Sequence, residues 1–294
     1  METASNLVKN LIQDFRKKLS GIYPEQEVMQ FIYILFEEYL GWEKTRVHLS
    51  FDAEIQETAM KSFDQAMQEL CSGKPIQYVI SKSWFNGTRL KVDAKVLIPR
   101  PETEELCSRI KADYVAQQKQ PFSILDIGTG SGCIAIDLKT HFPRSMVTAI
   151  DNSRDALEIA SENARTNQCA ISFLQADILD QVSWPVLGKY NIIISNPPYV
   201  LENEKNRMHR NVIEFEPVQA LFVDDHDPLI FYRAISAFAV THLIPPARLY
   251  FEINERFGKK VSELVHSFGF NEVRVIHDFH GKERFVVAFL KSPV

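Results

Sequence analysis

Residues 126–132 have the sequence Asp126-Ile127-Gly128-Thr129-Gly130-Ser131-Gly132 and overlap the end of an apolar run, Ser123–Ile127, that is typical of a buried strand. A helix is predicted at 133–141, so the three alternating glycines connect a strand to the N-terminus of a helix. Glycines let the backbone approach a ligand closely, and a helix N-terminus favours negative charge. The spacing G-x-G-x-G differs from the G-x-G-x-x-G of dinucleotide-binding proteins, which argues against NAD.

Acidic residues follow the next two predicted strands. Asp151 comes directly after Met146–Ile150, where a carboxylate can accept hydrogen bonds from both hydroxyls of a ribose. Asp177 follows the strand predicted at Ile171–Leu174, and Ile178 beside it offers an apolar contact for an adenine ring. For Asp177 alone, a capping role in the loop explains the residue as well as a ligand contact does.

The segment Asn196-Pro197-Pro198-Tyr199 follows the apolar run Tyr190–Ser195, so it lies at the carboxyl end of another predicted strand, where open α/β sheets bind ligands. Neither proline has a backbone N–H, and the residue before each proline is held extended. The loop is therefore stiff and presents carbonyl oxygens. Those of Pro197 and of the Asn196 side chain would accept both hydrogens of a planar –NH2 group, with Tyr199 as a flat face beside it. The alternative is a proline-rich turn that only closes the strand.

From residue 122 onward strands and helices alternate, which indicates an α/β domain with a parallel, doubly wound sheet. The strands are predicted at Ser123–Ile127, Met146–Ile150, Ile171–Leu174, Tyr190–Ser195 and Arg248–Ile253, and the helices at 133–141, 153–166, 228–242 and 256–267. The last two strands, Glu272–Ile276 and Arg284–Leu290, have no helix-length segment between them. We expect these two to pair as an antiparallel edge.

The sequence before this region predicts a small all-α domain over residues 1–75, because apolar residues recur there at helical spacing. Residues 76–98 are predicted to form a β-hairpin linker, since Asn86-Gly87 between β-prone runs is a strong hairpin signal. The sheet domain is predicted to cover residues 99–294. At its start, Thr103 is expected to cap a helix that begins at Glu104.

The composition is that of an ordinary globular protein and excludes several classes. The net charge is −5, and residues 1–75 contain 8 Lys plus Arg against 12 Asp plus Glu, which argues against a basic nucleic-acid clamp. The longest strongly apolar run near the start, Phe31–Phe36, is far too short to span a bilayer, and the first residues show no secretory signal. The cysteines form no C-x-x-C pair, so we expect no metal site and a reducing, cytoplasmic location.

Taken together, these segments resemble the Class I S-adenosylmethionine-dependent methyltransferases and, more narrowly, the HemK/PrmC family. Members of that family methylate the side-chain amide nitrogen (N5) of a glutamine in peptide chain release factors. The resemblance covers nearly the whole chain and rests on five segments: Gly73–Tyr78, Leu97–Glu104, Asp126–Gly132, Asn196–Tyr199 and Phe215–Pro217. Within them, Pro99-Arg100-Pro101-Glu102 combined with Asn-Pro-Pro-Tyr is highly specific. The chain departs from the family at Asp224–Pro228, where a glycine-rich turn is more usual, and at Ile178, where a large aromatic residue is common.

The resemblance implies a Rossmann-like methyltransferase domain with an antiparallel edge strand, preceded by a helical domain and a hairpin linker. It implies S-adenosyl-L-methionine as cofactor and a release factor as protein substrate, and we expect the helical domain to recognise that substrate. We also expect a monomer that requires neither nucleic acid nor a membrane. The residues assigned to the cofactor are Gly128, Thr129, Gly130, Ser131, Gly132, Asp151, Asp177, Ile178 and Asn196. Those assigned to the substrate are Asn196, Pro197, Pro198 and Tyr199, of which Asn196, Pro197 and Tyr199 are expected to be catalytic.

Two alternatives stay open at this point. An N6-adenine or N2-guanine methyltransferase of nucleic acids uses the same tetrapeptide on an exocyclic amine, and a flipped base would then stack on Tyr199. The acidic helical domain argues against it, since the basic cluster near the site consists only of Lys205, Arg207, His209 and Arg210. The second alternative is a non-catalytic binding protein on the same fold, and the intact glycine segment, Asp151 and tetrapeptide argue against that.

Overall fold

The computed structural model describes residues 6–117 and 120–291. The helices within these ranges are α1 (Val8–Leu19), α2 (Glu25–Leu40), α3 (Lys44–Leu49), α4 (Glu57–Cys71), α5 (Ile76–Val79), α6 (Pro101–Asp113), α7 (Cys133–His141), α8 (Arg154–Thr166), α9 (Arg210–Phe215), α10 (Val218–Leu221), α11 (Ile230–His242) and α12 (Gly258–Ser267). The strands are β1 (Lys82–Phe85), β2 (Thr88–Lys91), β3 (Ser123–Ile127), β4 (Met146–Asp151), β5 (Ile171–Gln175), β6 (Tyr190–Ser195), β7 (Val200–Leu201), β8 (Phe222–Val223), β9 (Leu243–Glu252), β10 (Glu272–His277) and β11 (Glu283–Leu290). Among the described residues, no helix is both long enough and apolar enough to cross a membrane.

Contacts between residues divide the described chain into two compact units. The first contains the residues up to Lys82 together with His209–Phe215, and the second contains Ser83–Met208 and the chain from Glu216 onward. The hairpin strands from Ser83 onward therefore group with the sheet, whereas the sequence predicts a separate linker over 76–98. The segment that contains α9 groups with the helices although it is far from them in sequence.

The long helices of the first unit, α1, α2 and α4, each bury one apolar face. The buried residues of α1 are Val8, Leu11, Ile12, Phe15 and Leu19, which recur at the spacing of a helical stripe. Helix α2 follows Pro24 and ends at Gly41, whose φ of 65° is the left-handed conformation that glycine adopts without strain. These stripes pack into one hydrophobic cluster, so the predicted helical N-terminal region is confirmed.

The predicted hairpin is present in the second unit, with two corrections to the residues around it. Asn86 and Gly87 have φ angles of 46° and 78°, as a tight type I′ turn between β1 and β2 requires. Ile76–Val79, expected in the hairpin segment, forms α5 instead because the Pro75 carbonyl accepts the N–H groups of Tyr78 and Val79. The prediction that Thr103 caps a helix is also wrong, because α6 already begins at Pro101.

The large sheet of the second unit has seven strands in the order β10-β11-β9-β6-β3-β4-β5. Neighbours from β9 to β5 are parallel, whereas β11 pairs antiparallel with both β9 and β10. The predicted parallel, doubly wound sheet with an antiparallel edge is therefore confirmed. The strand order changes direction between β3 and β6, and a doubly wound sheet binds ligands at the carboxyl ends of its strands beside such a switch point.

Both faces of this sheet are buried under helices. Alternate residues of β3 belong to different hydrophobic clusters: Ile124 lies in the cluster of α6, α7 and α8, and Leu125 in that of α11 and α12. All five residues of β3, including the polar Ser123 and Asp126, are buried, as expected for a central strand that is covered on both faces. The carboxyl ends of β3, β4, β5 and β6 are therefore held in a rigid, close-packed frame.

Candidate active site

A pocket lies at the carboxyl ends of β3, β4, β5 and β6, and the space inside it amounts to about 810 Å³, including the part open to solvent. Its wall includes at least one residue at or just after the end of each of the four strands: Gly128, Asp151, Asp177 and Asn196. The structure thus brings together groups that the sequence places in four separate segments.

The three glycines after β3 have different roles. All have positive φ, with values of 74° at Gly128, 54° at Gly130 and 82° at Gly132, so a side chain would strain the backbone at each. Gly128 and Gly130 line the pocket. Gly132 does not; a Cβ atom there would lie 3.1 Å from the Cβ of Ala160. Gly132 therefore allows close packing of the loop against α8.

Asp151 is anchored at the pocket wall by two backbone donors. Its Oδ2 accepts the N–H of Gly130 at 2.9 Å, and its Oδ1 accepts the N–H of Ser153 at 2.9 Å. Burial raises the pKa of Asp151, and these backbone donors oppose that shift. Since each carboxylate oxygen has a second lone pair, the side chain can still accept two hydrogen bonds from a ligand. This arrangement fits the two hydroxyls of a ribose.

Three polar residues of the glycine segment lie behind the pocket wall. Thr129 is buried and donates its hydroxyl to Oδ2 of Asp126 at 2.6 Å. The carbonyl of Ser131 accepts the side-chain N–H of Asn163 at 2.9 Å. Asp126 is fully buried, and burial raises its pKa to about 7. The Thr129 side chain, which we expected to bind the cofactor, thus has its partner inside the protein. Ser131, expected in the same role, is held through its backbone carbonyl, and its buried hydroxyl has no hydrogen-bond partner among the described residues.

The loop after β5 places Asp177 and Ile178 in the pocket wall. Oδ1 of Asp177 also accepts the N–H of Leu179 at 2.9 Å, so this residue stabilises its own loop as well as facing the pocket. The indole N–H of Trp184 donates to the carbonyl of Ile178 at 3.0 Å. Ile178 is therefore held in place by its backbone, and its side chain supplies an apolar surface.

Asn196, Pro197 and Pro198 line the pocket at the end of β6. The Nδ2 group of Asn196 donates to the Thr103 hydroxyl at 3.1 Å. Because the amide nitrogen is engaged, the Oδ1 atom of Asn196 remains as the acceptor of that side chain.

Tyr199 does not take the position that the sequence suggests. Its hydroxyl donates to Oε1 of Glu252 at 3.0 Å, and its ring packs against the core beneath β9 rather than lining the pocket. Burial raises the pKa of Tyr199 well above its ordinary value. The aromatic side chain in the pocket wall is instead Phe231 of α11, accompanied by Ile235 one turn later. Sequence reasoning missed both, because they belong to an ordinary apolar helix.

Two further acidic residues near the site were not identified as functional from the sequence. Glu252 is 0% exposed and accepts the hydroxyl of Thr103 at 2.7 Å. Glu216 is also buried and forms an ion pair with Arg100 at 2.5 Å. A signal existed for Glu252, since it is the one charged residue at the end of the apolar run Leu249–Ile253. Its partner Thr103 is 149 residues away, and nothing local predicts that pairing.

Two family models match this chain. The PrmC N-terminal domain matches residues 10–80, and the Methyltransferase small domain matches residues 105–217. Among solved structures, a methyltransferase from Pyrococcus furiosus superposes with a TM-score of 0.51 at 19% identity, covering 70% of this chain and 91% of that one. At this identity the similarity supports the fold alone.

Curated relatives extend the match over the full length. A release factor glutamine methyltransferase of Flavobacterium psychrophilum is 39% identical over 281 residues, which cover 95% of this chain and 98% of the relative. The protein of the same name from Bacteroides thetaiotaomicron is 38% identical, covering 93% of this chain and 96% of the relative. The chain therefore belongs to the family of release factor glutamine methyltransferases.

Proposed function

We propose that this protein transfers a methyl group from S-adenosyl-L-methionine to the N5 side-chain amide nitrogen of a glutamine in a peptide chain release factor. The observation that carries the proposal is the Asn196 amide at the pocket wall, whose nitrogen is engaged by Thr103 so that its oxygen is the acceptor for a substrate –NH2 group. The names of the full-length relatives support the choice of substrate.

The residues of the pocket fit the proposed cofactor. The carboxylate of Asp151 suits the ribose hydroxyls, and Ile178 supplies an apolar surface for the adenine ring. Gly128 and Gly130 have no neighbouring atom within 4 Å of the position of a Cβ, so the backbone there is open to a ligand. S-adenosyl-L-methionine supplies an electrophilic methyl group on its sulfonium.

The end of β6 orients the substrate amide. An amide nitrogen is a poor nucleophile because its lone pair is delocalised into the carbonyl. The oxygens of Asn196 and Pro197 accept the two N–H groups and hold the nitrogen in the direction of attack. Such positioning contributes about 7–11 kcal/mol in favourable cases. The same two dipoles stabilise the positive charge that the nitrogen gains as it is methylated, and the nitrogen becomes neutral again by releasing one of its protons to water.

The first unit is proposed to recognise the folded substrate. Its match to the PrmC N-terminal domain and its separate hydrophobic cluster support a distinct function. We further propose a cytoplasmic monomer that acts without nucleic acid, membrane or metal ion. The four cysteines are free thiols, which fits a reducing compartment.

The alternative function is methyl transfer to a base of a nucleic acid. A flipped base was expected to stack on Tyr199, but that ring does not line the pocket. The test incubates the purified protein with labelled S-adenosyl-L-methionine and either a release factor or nucleic acid. We expect label on a glutamine of the release factor, located by mass spectrometry, and none on nucleic acid. Label on nucleic acid alone, or binding of the cofactor without transfer, would contradict the proposal.

A further inference from the structure

A buried hydrogen-bond network connects the pocket to the last residue of β9. Glu252 accepts the hydroxyl of Thr103 on Oε2 at 2.7 Å and the hydroxyl of Tyr199 on Oε1 at 3.0 Å. Thr103, which is 2% exposed, in turn accepts the Nδ2 group of Asn196 at 3.1 Å. These three hydrogen bonds link Glu252 directly to Tyr199 and, through Thr103, to Asn196. Asn196 and Tyr199 are the two polar side chains of the tetrapeptide after β6.

The direction of each hydrogen bond follows from its neighbour. A carboxylate only accepts, so Glu252 takes the single protons of both hydroxyls. The Thr103 oxygen has then used its proton and can only accept from Asn196. The Asn196 side chain must therefore present its nitrogen to Thr103 and keep its oxygen on the pocket side. A donor in place of that oxygen would face the N–H groups of the substrate amide and repel them.

Strand packing does not account for a carboxylate at this position. Burial raises the pKa of Glu252, whereas the hydrogen bonds from Thr103 and Tyr199 and the charge of Arg284 oppose that shift. Replacing a buried charge by a well-packed apolar residue is often neutral or stabilising, so the stability of β9 is not a reason for a carboxylate here. Glu252 instead accepts hydrogen bonds from two hydroxyls that belong to the site: that of Thr103, which contacts Asn196, and that of Tyr199, which ends the tetrapeptide.

We propose that Glu252 and Thr103 are positioning residues that set the orientation of the Asn196 amide for methyl transfer. This inference rests on the proposed function. Glu252 fixes the direction of the Thr103 hydroxyl, and Thr103 fixes which atom of Asn196 faces the substrate. Through Tyr199 the same carboxylate also fastens the far end of the tetrapeptide.

The first test compares Thr103→Val with Thr103→Ser. Valine has nearly the shape of threonine but leaves Asn196 without its acceptor, whereas serine keeps the hydroxyl. We expect Thr103→Val to lower the single-turnover rate on release factor by about 10- to 100-fold, the range of a slightly misplaced reactant. Thr103→Ser should restore the rate to within a few-fold of the wild type. The affinity for S-adenosyl-L-methionine, measured by calorimetry, should stay within two-fold in both variants.

The second test is Glu252→Gln, which keeps the shape and removes the charge. A glutamine must donate from its –NH2 group to one of the two hydroxyls, and that hydroxyl then turns its proton elsewhere. We expect a lower kcat with little change in KM for release factor, and a thermal melt at or above that of the wild type because the buried charge is gone. Tyr199→Phe, which leaves the Thr103 branch intact, should reduce the rate less than Thr103→Val.

The outcomes separate this inference from the proposed function. If the wild type does not methylate release factor at all, the proposed function fails. If the wild type methylates it and Thr103→Val and Glu252→Gln both react at the wild-type rate, only the positioning role is overturned. A rate loss that Thr103→Ser does not restore, or that appears together with a lowered thermal melt in all variants, would also overturn it by indicating a structural role.

Discussion

Arg100 donates through Nη2 to Oε1 of Glu216 at 2.5 Å and so joins two segments that lie 116 residues apart. The Glu216 carboxylate is almost fully buried and also accepts the backbone N–H of Ile98 at 3.3 Å. Leu97, which precedes Ile98, and Pro217, which follows Glu216, both line the pocket. The ion pair thereby fastens two pieces of the pocket wall that no regular secondary structure connects.

Arg100→Ala leaves a buried carboxylate without its cation, so we expect it to destabilise the second unit by about 2–4 kcal/mol. The loss is not larger because Arg100 itself is only partly buried. Urea unfolding gives the free energy of unfolding. Arg154→Ala removes an exposed ion pair with Glu158 and is the matched control, with an expected loss of under about 1 kcal/mol. Equal effects of the two substitutions would show that the buried pair has no special role.

Asp151 is expected to hold the ribose of the cofactor. Asp151→Ala removes two charge-assisted acceptors, and we expect S-adenosyl-L-methionine to bind about 2–4 kcal/mol more weakly, after some compensation by water. Calorimetry measures this affinity directly. Glu158→Ala, an exposed acidic residue on α8, is the control and should bind the cofactor normally. Unchanged affinity in Asp151→Ala would remove Asp151 from the cofactor site.

The raised pKa of Asp126 predicts a pH dependence of stability. Its pKa is about 7 in the folded protein and near 3.8 in the unfolded chain, so the unfolded state loses this proton first. The Asp126 contribution therefore favours folding most at low pH and is progressively lost as pH rises from about 4 to 7. Relative to Asp126→Asn, the wild type should lose about 2 kcal/mol of unfolding free energy between pH 5 and 7. A pH-independent difference between the two proteins would contradict this assignment.

Local signals in the sequence predicted much of this structure. Contacts between residues far apart in the sequence could not be predicted from such signals. The Asn86-Gly87 turn and the glycines after β3 depend on the backbone preferences of a few adjacent residues, which the local sequence reveals. The partner of Glu252 was not predictable, because the fold decides which helix packs over β9. Tyr199 shows the limit within one motif: the sequence places its backbone at the strand end, but the direction of its ring depends on Glu252.

If the first unit recognises the substrate, its removal should weaken the binding of release factor but not the binding of S-adenosyl-L-methionine. A protein that begins at Ser83 lacks most of this unit, and we expect it to show a much higher KM for release factor than the full chain. Its affinity for S-adenosyl-L-methionine should be nearly unchanged, because the pocket residues all belong to the second unit. That affinity and a thermal melt are the controls for folding. An unaltered KM in a folded shortened protein would exclude the helices from substrate recognition.

The central claim is that the Asn196 amide orients the glutamine side chain, and single-turnover methylation of release factor by Asn196→Ala tests it most directly. Loss of one preorganised polar partner costs about 3–4 kcal/mol, so we expect a rate lower by about two to three decades. Asn196→Asp should bind the cofactor nearly normally yet turn over poorly, since it buries a charge close to the substrate. Asn196→Ala should melt near the wild-type temperature, because the side chain contributes little to the core, whereas Asn196→Asp should melt somewhat lower, because it adds a second carboxylate to the network of Thr103 and Glu252. If Asn196→Ala melts normally and methylates at the wild-type rate, the tetrapeptide is only a turn and the proposed mechanism is wrong.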